Sequence, residues 1–259
     1  MNGIMNKIKT GGLLFAGMCA MLLGAASCGK GTIWSTKDEV NIGKQASKEV
    51  EHEYRLDESS DDAKRVKRIG ERLLAHTDVR PGVPYSFRVL DTKDVNAVSL
   101  PGGPIYIFRG LIDLIGEDDD ALATVIGHEI GHTNGRHIAH QYTKQLQAGL
   151  LLGLILQGQG RTVQNLAGIG QELLGLKFTR DDEYEADRRG LSYAFKAGFD
   201  PQGMIRFFKK LQELEKRPSG TGVGGGGGGP EFLKTHPVTK SRIDKATKLI
   251  ESEDYKFGQ

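Results

Sequence analysis

Two histidines four residues apart, with a glutamate after the first, stand in the segment TVIGHEIGHTNGRH at 124–137. A helix turns about 100° per residue, so His128 and His132 project about 40° apart, one turn from each other. Two imidazoles on one stripe can bind the same metal ion, and Glu129 flanks them within reach of a metal-bound water. The spacing therefore predicts a zinc site with Glu129 as general base. The alternative is a pair of core histidines.

The helix that carries these residues is expected to be buried, because apolar residues surround the histidine pair on nearly every side. Aspartates at 118–120 mark its first turn, where carboxylates complement the helix dipole, and we expect it to run past His140. On such a helix His137 and His140 lie about 140° and 80° from His132, so neither matches a ligand position. Gly131, in mid-helix, indicates close approach by a substrate or by another backbone.

A third ligand is expected from the acidic segment RDDEYEADRRGLSYAFK at 180–196. On a helical wheel Glu183 and Asp187 share the stripe that carries small residues, whereas Glu185 lies on the opposite face, where it can pair with Arg189. Inward carboxylates need partners. Glu183 on zinc and Asp187 on the N–H of a ligand imidazole would satisfy both. The alternative is a solvated acidic face.

Four motifs together resemble the zinc metallopeptidase family of the CaaX prenyl proteases and the HtpX-type proteases, in particular its soluble periplasmic branch. They are HEIGH at 128–132, EYEAD at 183–187, NAVSLPGGPIYIFRGLI at 96–112 and THPVTKSRI at 235–243. The similarity extends over about residues 36–252. It implies that His128, His132 and Glu183 bind one zinc ion per chain, that Glu129 is the base and that Asp187 supports a ligand.

The same resemblance implies a zincin-type metallopeptidase domain and a zinc-dependent endopeptidase that hydrolyses misfolded or misassembled cell-envelope proteins. The main alternative is a latent or inactive protease-fold lipoprotein that acts as a chaperone or assembly factor. A non-proteolytic zinc hydrolase and a metal-free structural lipoprotein also remain open.

His236 and Arg242 belong to the last of the four motifs. In the soluble branch of the family a similarly placed histidine can approach the zinc and block its water, which implies a gating or substrate-handling role for His236. The alternative is a surface histidine on a mobile loop. Arg242 either binds a developing oxyanion or is a solvated arginine on a helix face.

The N-terminal segment is predicted to be a signal peptide. Two lysines precede an uncharged, mostly apolar stretch at 11–27, and the small residues before Cys28 resemble a bacterial lipobox. We therefore expect a lipoprotein signal peptide at 1–27 and a lipid attached to Cys28, which would place the protein on the periplasmic side of the cell envelope. An ordinary cleaved signal and an N-terminal membrane anchor are the alternatives. Gly29 and Lys30 favour the outer membrane.

Composition limits the remaining possibilities. The formal net charge of +2 falls to zero once Lys7 and Lys9 leave with the signal peptide, so nothing favours nucleic acid as a partner. The chain has only two cysteines, Cys19 and Cys28, which leaves no thiol for a disulfide or a cysteine-bound metal after export. Any metal must therefore be bound by His, Asp or Glu.

The order of elements predicts an α+β fold that is mostly helical. Helices are expected at 36–56 and 61–76, followed by three strands of a small antiparallel sheet at 85–90, 96–100 and 105–108, and then by further helices, one of them at 163–197. The strand at 96–100 is either a sheet edge on which a peptide can add or an interior strand. Residues 28–259 are expected to form one domain. A flexible Gly-rich loop lies at 218–230, and the apolar segment 148–160 is a lid, a membrane-touching hairpin or core.

Overall fold

Ten helices and four strands form the part of the chain that the computed structural model describes, which comprises residues 31–156, 168–216, 230–252 and 255. In chain order they are α1 (Thr36–Glu53), β1 (Leu56–Asp57), α2 (Asp61–Leu74), β2 (Ser86–Leu90), β3 (Ala97–Ser99), β4 (Pro104–Phe108), α3 (Arg109–Ile115), α4 (Asp119–Gly135), α5 (His137–Leu156), α6 (Ile169–Leu174), α7 (Arg180–Lys196), α8 (Gln202–Glu215), α9 (Glu231–Thr235) and α10 (Lys240–Glu251). The expected α+β, mostly helical class is confirmed.

Three of the predicted features lie outside the described residues. They are the signal peptide at 1–27, the lipid attachment at Cys28 and residues 218–229 of the Gly-rich loop. Of the apolar segment 148–160, the structure describes a helical backbone as far as residue 156.

Several helices start at a polar residue whose side chain caps them. Ser35 and Thr179 each form a capping box, in which the hydroxyl of the cap accepts from the N–H three residues later and the carboxylate there accepts from the N–H of the cap. Asp118 accepts from the N–H of Ala121 and begins α4 at its predicted position. The cap of α4 is therefore where the sequence predicts it, whereas the cap of α7 at Thr179 lies inside the helix predicted at 163–197.

The four strands form one sheet in the order β1–β2–β4–β3. The outer pairs are antiparallel, but β2 and β4 run parallel, with Ser86 opposite Pro104. The prediction of an antiparallel sheet is therefore wrong for the central pair. After β2 the chain forms β3 at the far edge of the sheet. It then turns through Gly102 and Gly103, whose φ angles are 72° and 116°, and forms β4 between β2 and β3. β3 is thus an edge strand.

α4 and α7 pack closely because small residues lie where they meet. A Cβ atom on Gly190 of α7 would lie 2.8 Å from the backbone nitrogen of His128, and one on Gly131 would lie 3.0 Å from Cα of Ala186. Approach by another backbone therefore explains Gly131. The main apolar core lies between α4, α2, α7, α8 and one face of the sheet, and a second core joins α1 and α6 to the other face.

Arg136 interrupts the long helix that the sequence predicts. Its φ of 56° and ψ of 31° are left-handed, so α4 ends at Gly135 and a new helix begins at His137. The prediction of one helix past His140 is wrong here. A left-handed residue other than glycine costs roughly 1–2 kcal/mol. The side chain of Arg136 donates to Glu39 at 2.7 Å, which offsets part of that cost.

The helix predicted at 163–197 is also divided. The described residues contain α6 and α7 instead, separated by an irregular segment from Gly175 to Thr179. Residues Trp34–Gln259 form one compact unit. Among the described residues, no helix has both the length and the apolar character needed to cross a bilayer.

Candidate metal centre

Four side chains from distant parts of the sequence converge in the interior. His128 and His132 come from α4, Glu183 comes from α7, and His236 directly follows α9. Each offers one donor atom, and these atoms lie within 4.8 Å of one another. None of the four residues is more than 3% exposed. The structure therefore brings together the three residues predicted as zinc ligands and adds a fourth possible donor.

The distances within this group are those of a small cluster of ligands. Nε2 of His132 lies 2.9 Å from Nε2 of His128 and 3.4 Å from Oε1 of Glu183. Nδ1 of His236 lies 2.8 Å from the same Glu183 oxygen and 3.4 Å from Nε2 of His128. The alternative of a surface histidine at 236 is therefore wrong, because this residue is buried among the donors. Its gating role remains a prediction.

Glu129 lies beside this group and is fully buried. Among the described residues, neither of its carboxylate oxygens has a hydrogen-bond partner. Oε1 lies 3.7 Å from Nε2 of His236. An unpartnered buried carboxylate is costly, which indicates that this one faces a position meant for a ligand or a water.

Asp187 contacts the far side of His128, one of the predicted zinc ligands. Its Oδ1 lies 3.0 Å from Nδ1 of His128, whose Nε2 faces the other donors. A carboxylate on the second nitrogen of a metal-binding histidine fixes its tautomer and the orientation of its ring. Glu185 points away from the centre and pairs with Arg189 at 2.9 Å, as predicted.

Arg242 is 1% exposed, so the alternative of a solvated arginine is wrong. Nε and Nη2 donate to the two oxygens of Asp187 at 2.8 and 2.7 Å, and Nη1 donates to the carbonyl of Pro237 at 3.1 Å. Nη1 also forms an ion pair with Glu183. The guanidinium therefore joins two acids of the site to the loop of His236. The spacing of Arg242, Ala246 and Ile250, which places them on one stripe of the helix, could have indicated this inward face.

Electrostatics at Glu183 and His132 favour the forms that bind metals, whereas at His236 the neighbouring carboxylates outweigh burial and raise the pKa. Burial would raise the pKa of Glu183, but His236 and Arg242 outweigh burial and hold it well below its usual value. Burial also opposes ionisation of Asp187, and Arg242 again lowers that pKa. The pKa of His132 is well below the ordinary value because burial disfavours the charged ring. Ionised acids and neutral imidazoles are the protonation states of metal ligands.

Two rings that contact His132, those of Phe178 and His137, were not predicted to lie at the centre. Phe178, in the segment before α7, stacks on the ring of His132 with centroids 3.9 Å apart and on that of His236 at 5.2 Å. Nothing in its sequence pattern singles it out. His137 lies with Nδ1 2.9 Å from Nδ1 of His132, a contact that the prediction of a continuous helix concealed.

The residues at this centre fit a zinc ion. Imidazole nitrogens and a carboxylate oxygen are usual zinc ligands, and beside them stands Glu129, whose oxygens accept no hydrogen bond from the described residues. The helical domain, its small sheet and this donor set define a zincin-type metallopeptidase domain. The model of peptidase family M48 matches residues 60–250, which is more than half of the chain. The chain therefore belongs to peptidase family M48, whose members use zinc, and the resemblance seen in the four motifs is confirmed.

Curated relatives support the same family. The β-barrel assembly-enhancing protease of Yersinia pestis is 30% identical over 75% of this chain and 42% of its own length. The mitochondrial metalloendopeptidase OMA1 of Arabidopsis thaliana is 35% identical over 65% of this chain and 32% of its own. The metalloprotease LoiP of Escherichia coli K12 is 30% identical over 61% of this chain and 62% of its own. The chain thus spans less than half the length of the first two relatives.

Proposed function

We propose that the chain is a zinc-dependent metalloendopeptidase that hydrolyses misfolded or misassembled cell-envelope proteins. The observation that carries the proposal is the convergence of His128, His132 and Glu183 beside the carboxylate of Glu129, which accepts no hydrogen bond from the described residues. Membership in family M48 supports peptide-bond hydrolysis. The name of the Yersinia pestis relative, a β-barrel assembly-enhancing protease, supports substrates in the cell envelope.

In this mechanism His128, His132 and Glu183 hold one zinc ion, and Glu129 moves the proton. Bound zinc supplies a Lewis acid that lowers the pKa of water and polarises the scissile carbonyl. Glu129 accepts a proton from the attacking water and passes it to the leaving amine. Its oxygens make no other hydrogen bond among the described residues, so both are available for that transfer. Asp187 keeps the ring of His128 oriented throughout.

The substrate would be an extended polypeptide that adds along β3. This strand is at the edge of the sheet, and a sheet edge is where a peptide adds as a further strand. The segment that carries His236 reaches the start of this edge, because the N–H of Phe232 donates to the carbonyl of Val95 at 3.0 Å. A substrate would therefore bind beside a segment that also supplies a donor to the metal group.

The main test is casein cleavage by the purified full-length chain. We expect the wild type to cleave casein, and we expect Glu129→Gln to bind one zinc per chain by elemental analysis while losing at least about 100-fold in rate. Retained cleavage by this variant would contradict the role of Glu129. A zinc-loaded wild type that cleaves no polypeptide favours a chaperone or another hydrolase, and a chain without zinc rejects the proposal.

A latent enzyme is the second candidate, and the position of His236 favours it. Its Nδ1 lies 2.8 Å from Glu183, within reach of the metal group, where it can occupy the position that water needs. His236→Ala should then cleave casein faster than the wild type with unchanged zinc content. If cleavage instead falls, His236 serves the substrate rather than gating the site. If both proteins load zinc and remain inactive, a chaperone or assembly role is favoured.

Anchoring at Cys28 in the outer membrane is the cellular part of the proposal. It is supported by the lipobox-like residues before Cys28. Metabolic labelling with a palmitate analogue should modify the wild type and not Cys28→Ser, and the labelled protein should sediment with outer-membrane vesicles on a density gradient. An unlabelled wild type would contradict the anchor, and sedimentation with the inner membrane would contradict the location.

A further inference from the structure

A further buried histidine, His137, lies behind His132. The Nδ1 atoms of His132 and His137 lie 2.9 Å apart, and the ring planes meet at 82°. His137 is 2% exposed, so water does not compete for this contact. Two facing imidazole nitrogens at this distance share one proton, and the question is which ring donates it.

The nitrogen of His132 that faces the other metal donors determines which ring donates the proton. Its Nε2 is the atom that faces His128 and Glu183, at 2.9 and 3.4 Å. An imidazole nitrogen that binds a metal carries no proton, so the single proton of a neutral His132 is on Nδ1. It points at Nδ1 of His137, which must accept it and hold its own proton on Nε2.

We propose that His137 is a positioning residue for the zinc site, in which it accepts the Nδ1–H of His132 and so fixes the tautomer and the orientation of that ligand. The inference rests on the proposed zinc site. It goes beyond that site by giving the second nitrogen of His132 a partner, as Asp187 is the partner of His128.

The other side of the His137 ring agrees with this assignment. Nε2 faces Oε2 of Glu185 at 3.7 Å, which is longer than a hydrogen bond but places a negative charge opposite an N–H. Glu185 is held in turn by Arg189 at 2.9 Å. If Nε2 of His137 carried no proton, its lone pair would face the negative charge of Glu185, which is unfavourable.

The left-handed residue between the two helices makes the contact possible. In a continuous helix His132 and His137 would point about 140° apart. The break at Arg136, with its φ of 56°, turns His137 back onto His132. The ring then lies over Gly135, where a Cβ atom would come within 2.3 Å of Nε2 of His137. A glycine is therefore required at 135 for the His137 ring to occupy this place.

A matched pair of variants in the full-length chain tests the hydrogen bond. Asparagine at 137 places an amide oxygen near the position of Nδ1, whereas leucine has nearly the same shape without an acceptor. Zinc affinity, measured by competition with a chelator, should stay within a few-fold of the wild type in His137→Asn and fall about 10- to 100-fold in His137→Leu. His52→Leu, which replaces an exposed histidine outside the site, should leave zinc affinity unchanged.

A second variant moves the ring without changing its chemistry. Gly135→Ala should displace His137 and weaken zinc binding in the same direction as His137→Leu. Thermal unfolding of the zinc-free proteins should be similar in His137→Asn and His137→Leu, so that zinc affinity reports the hydrogen bond rather than packing. If His137→Leu folds too poorly to be measured, Gly135→Ala against His137→Asn gives the comparison.

The outcomes separate this inference from the function on which it rests. A wild type that binds zinc and a His137→Leu variant that binds it equally well overturn the role of His137 and leave the zinc site intact. Equal losses of affinity in the Asn and Leu variants also overturn it, because the acceptor would then not matter. A wild type that binds no zinc rejects the zinc site and this inference together.

Discussion

At the scale of single residues, the centre is organised by charge. Three buried carboxylates, Glu129, Glu183 and Asp187, stand within one small region, and Arg242 is the buried guanidinium that contacts two of them. A buried charge is tolerated when an opposite charge is close. One guanidinium and one divalent cation together balance three carboxylates. This balance gives a physical reason for a dication at the histidine pair.

Arg242 is therefore expected to be essential for the site even though it is not a predicted ligand. Arg242→Met would leave Asp187 and Glu183 buried without their cation and should destabilise the zinc-free protein by about 3–5 kcal/mol. Arg242→Lys should lose less, because it keeps the charge but not the two parallel hydrogen bonds. Urea unfolding of the zinc-free proteins measures both changes.

The control is Arg206, a comparable arginine on the surface. Its side chain is 40% exposed and pairs with Asp118, Asp120 and Asp200. Arg206→Met should cost no more than about 1 kcal/mol, because exposed ion pairs contribute little. If Arg242→Met is as stable as Arg206→Met, burial of the carboxylates does not depend on Arg242.

At the scale of the elements, the contact between α4 and α7 sets the geometry of the ligands. α4 carries His128 and His132, and α7 carries Glu183, so the separation of the two helix axes determines whether the acid reaches the histidines. Glycines at the crossing allow the backbones to approach. Any side chain added there must push the helices apart.

Gly190→Ala tests this dependence. The added Cβ would lie 2.8 Å from the backbone nitrogen of His128, which is too close for a normal contact. We expect a loss of about 1–3 kcal/mol in unfolding free energy, typical of an overpacked core, together with weaker zinc binding. Urea unfolding and chelator competition give the two values.

Gly175→Ala is the matched control for Gly190→Ala. Its φ of −92° suits alanine, and the nearest atom to an added Cβ, the carbonyl oxygen of Gln171, is 3.8 Å away. Stability and zinc affinity should both stay near the wild-type values. If Gly190→Ala binds zinc as tightly as the wild type, α4 and α7 adjust to the added methyl group without moving the proposed ligands, which would contradict the prediction.

The elements also show which parts of the structure could be predicted from the sequence. Helical periodicity is local, so the start of α4, the helical character of 180–196 and the inward face of Glu183 and Asp187 could be predicted from spacing. The break at Arg136 could not be seen, because its side chain is held by Glu39, 97 residues away. The parallel pairing of β2 with β4 likewise depends on where β3 lies, which alternation within each strand does not encode.

The same reasoning applies to Arg242 and His236. Both lie more than 50 residues from their partner in the acidic segment, as shown by the separations of 55 residues for Arg242–Asp187 and 53 for His236–Glu183. Motif resemblance placed them near the chemistry, whereas their partners depend on how α9 and α10 pack. Phe178 belongs to no periodic pattern and to no motif, so the sequence could not place it at the centre.

At the scale of the whole molecule, Arg109 joins the start of the fold to the sheet. Its side chain pairs with Asp57, Asp62 and Asp91, which lie in β1, in α2 and just after β2. The pKa of Asp57 is lowered to about 2, first by the hydroxyl of Ser60 and further by backbone N–H groups and Arg109. This acid is therefore more readily ionised in the folded than in the unfolded chain.

Asp57 should make the stability of the protein depend on acid pH. Because its folded pKa is below the usual 3.8, its contribution is present at pH values above about 4 and is lost as the pH falls toward about 2. At pH 7 the unfolding free energy of Asp57→Asn should be lower than that of the wild type. At pH 3 the difference between the two proteins should be smaller. Asp113→Asn, at an exposed position, is the control and should follow the wild type. A constant difference between wild type and Asp57→Asn across this range would contradict the linkage.

Zinc should stabilise the entire unit from Trp34 to Gln259, because its ligands lie on separate helices that come together only in the folded chain. Stabilisation by a ligand that binds only the folded state is about 2.7 kcal/mol at a free concentration 100 times its Kd. For a unit of this size that corresponds to a rise of about 5–10 °C in Tm, which a chelator should reverse. Glu129→Gln should show the full rise, since Glu129 is the proposed base and not a proposed ligand, and His132→Ala should show almost none. An equal rise in His132→Ala would mean that the metal stabilises the fold from some other position.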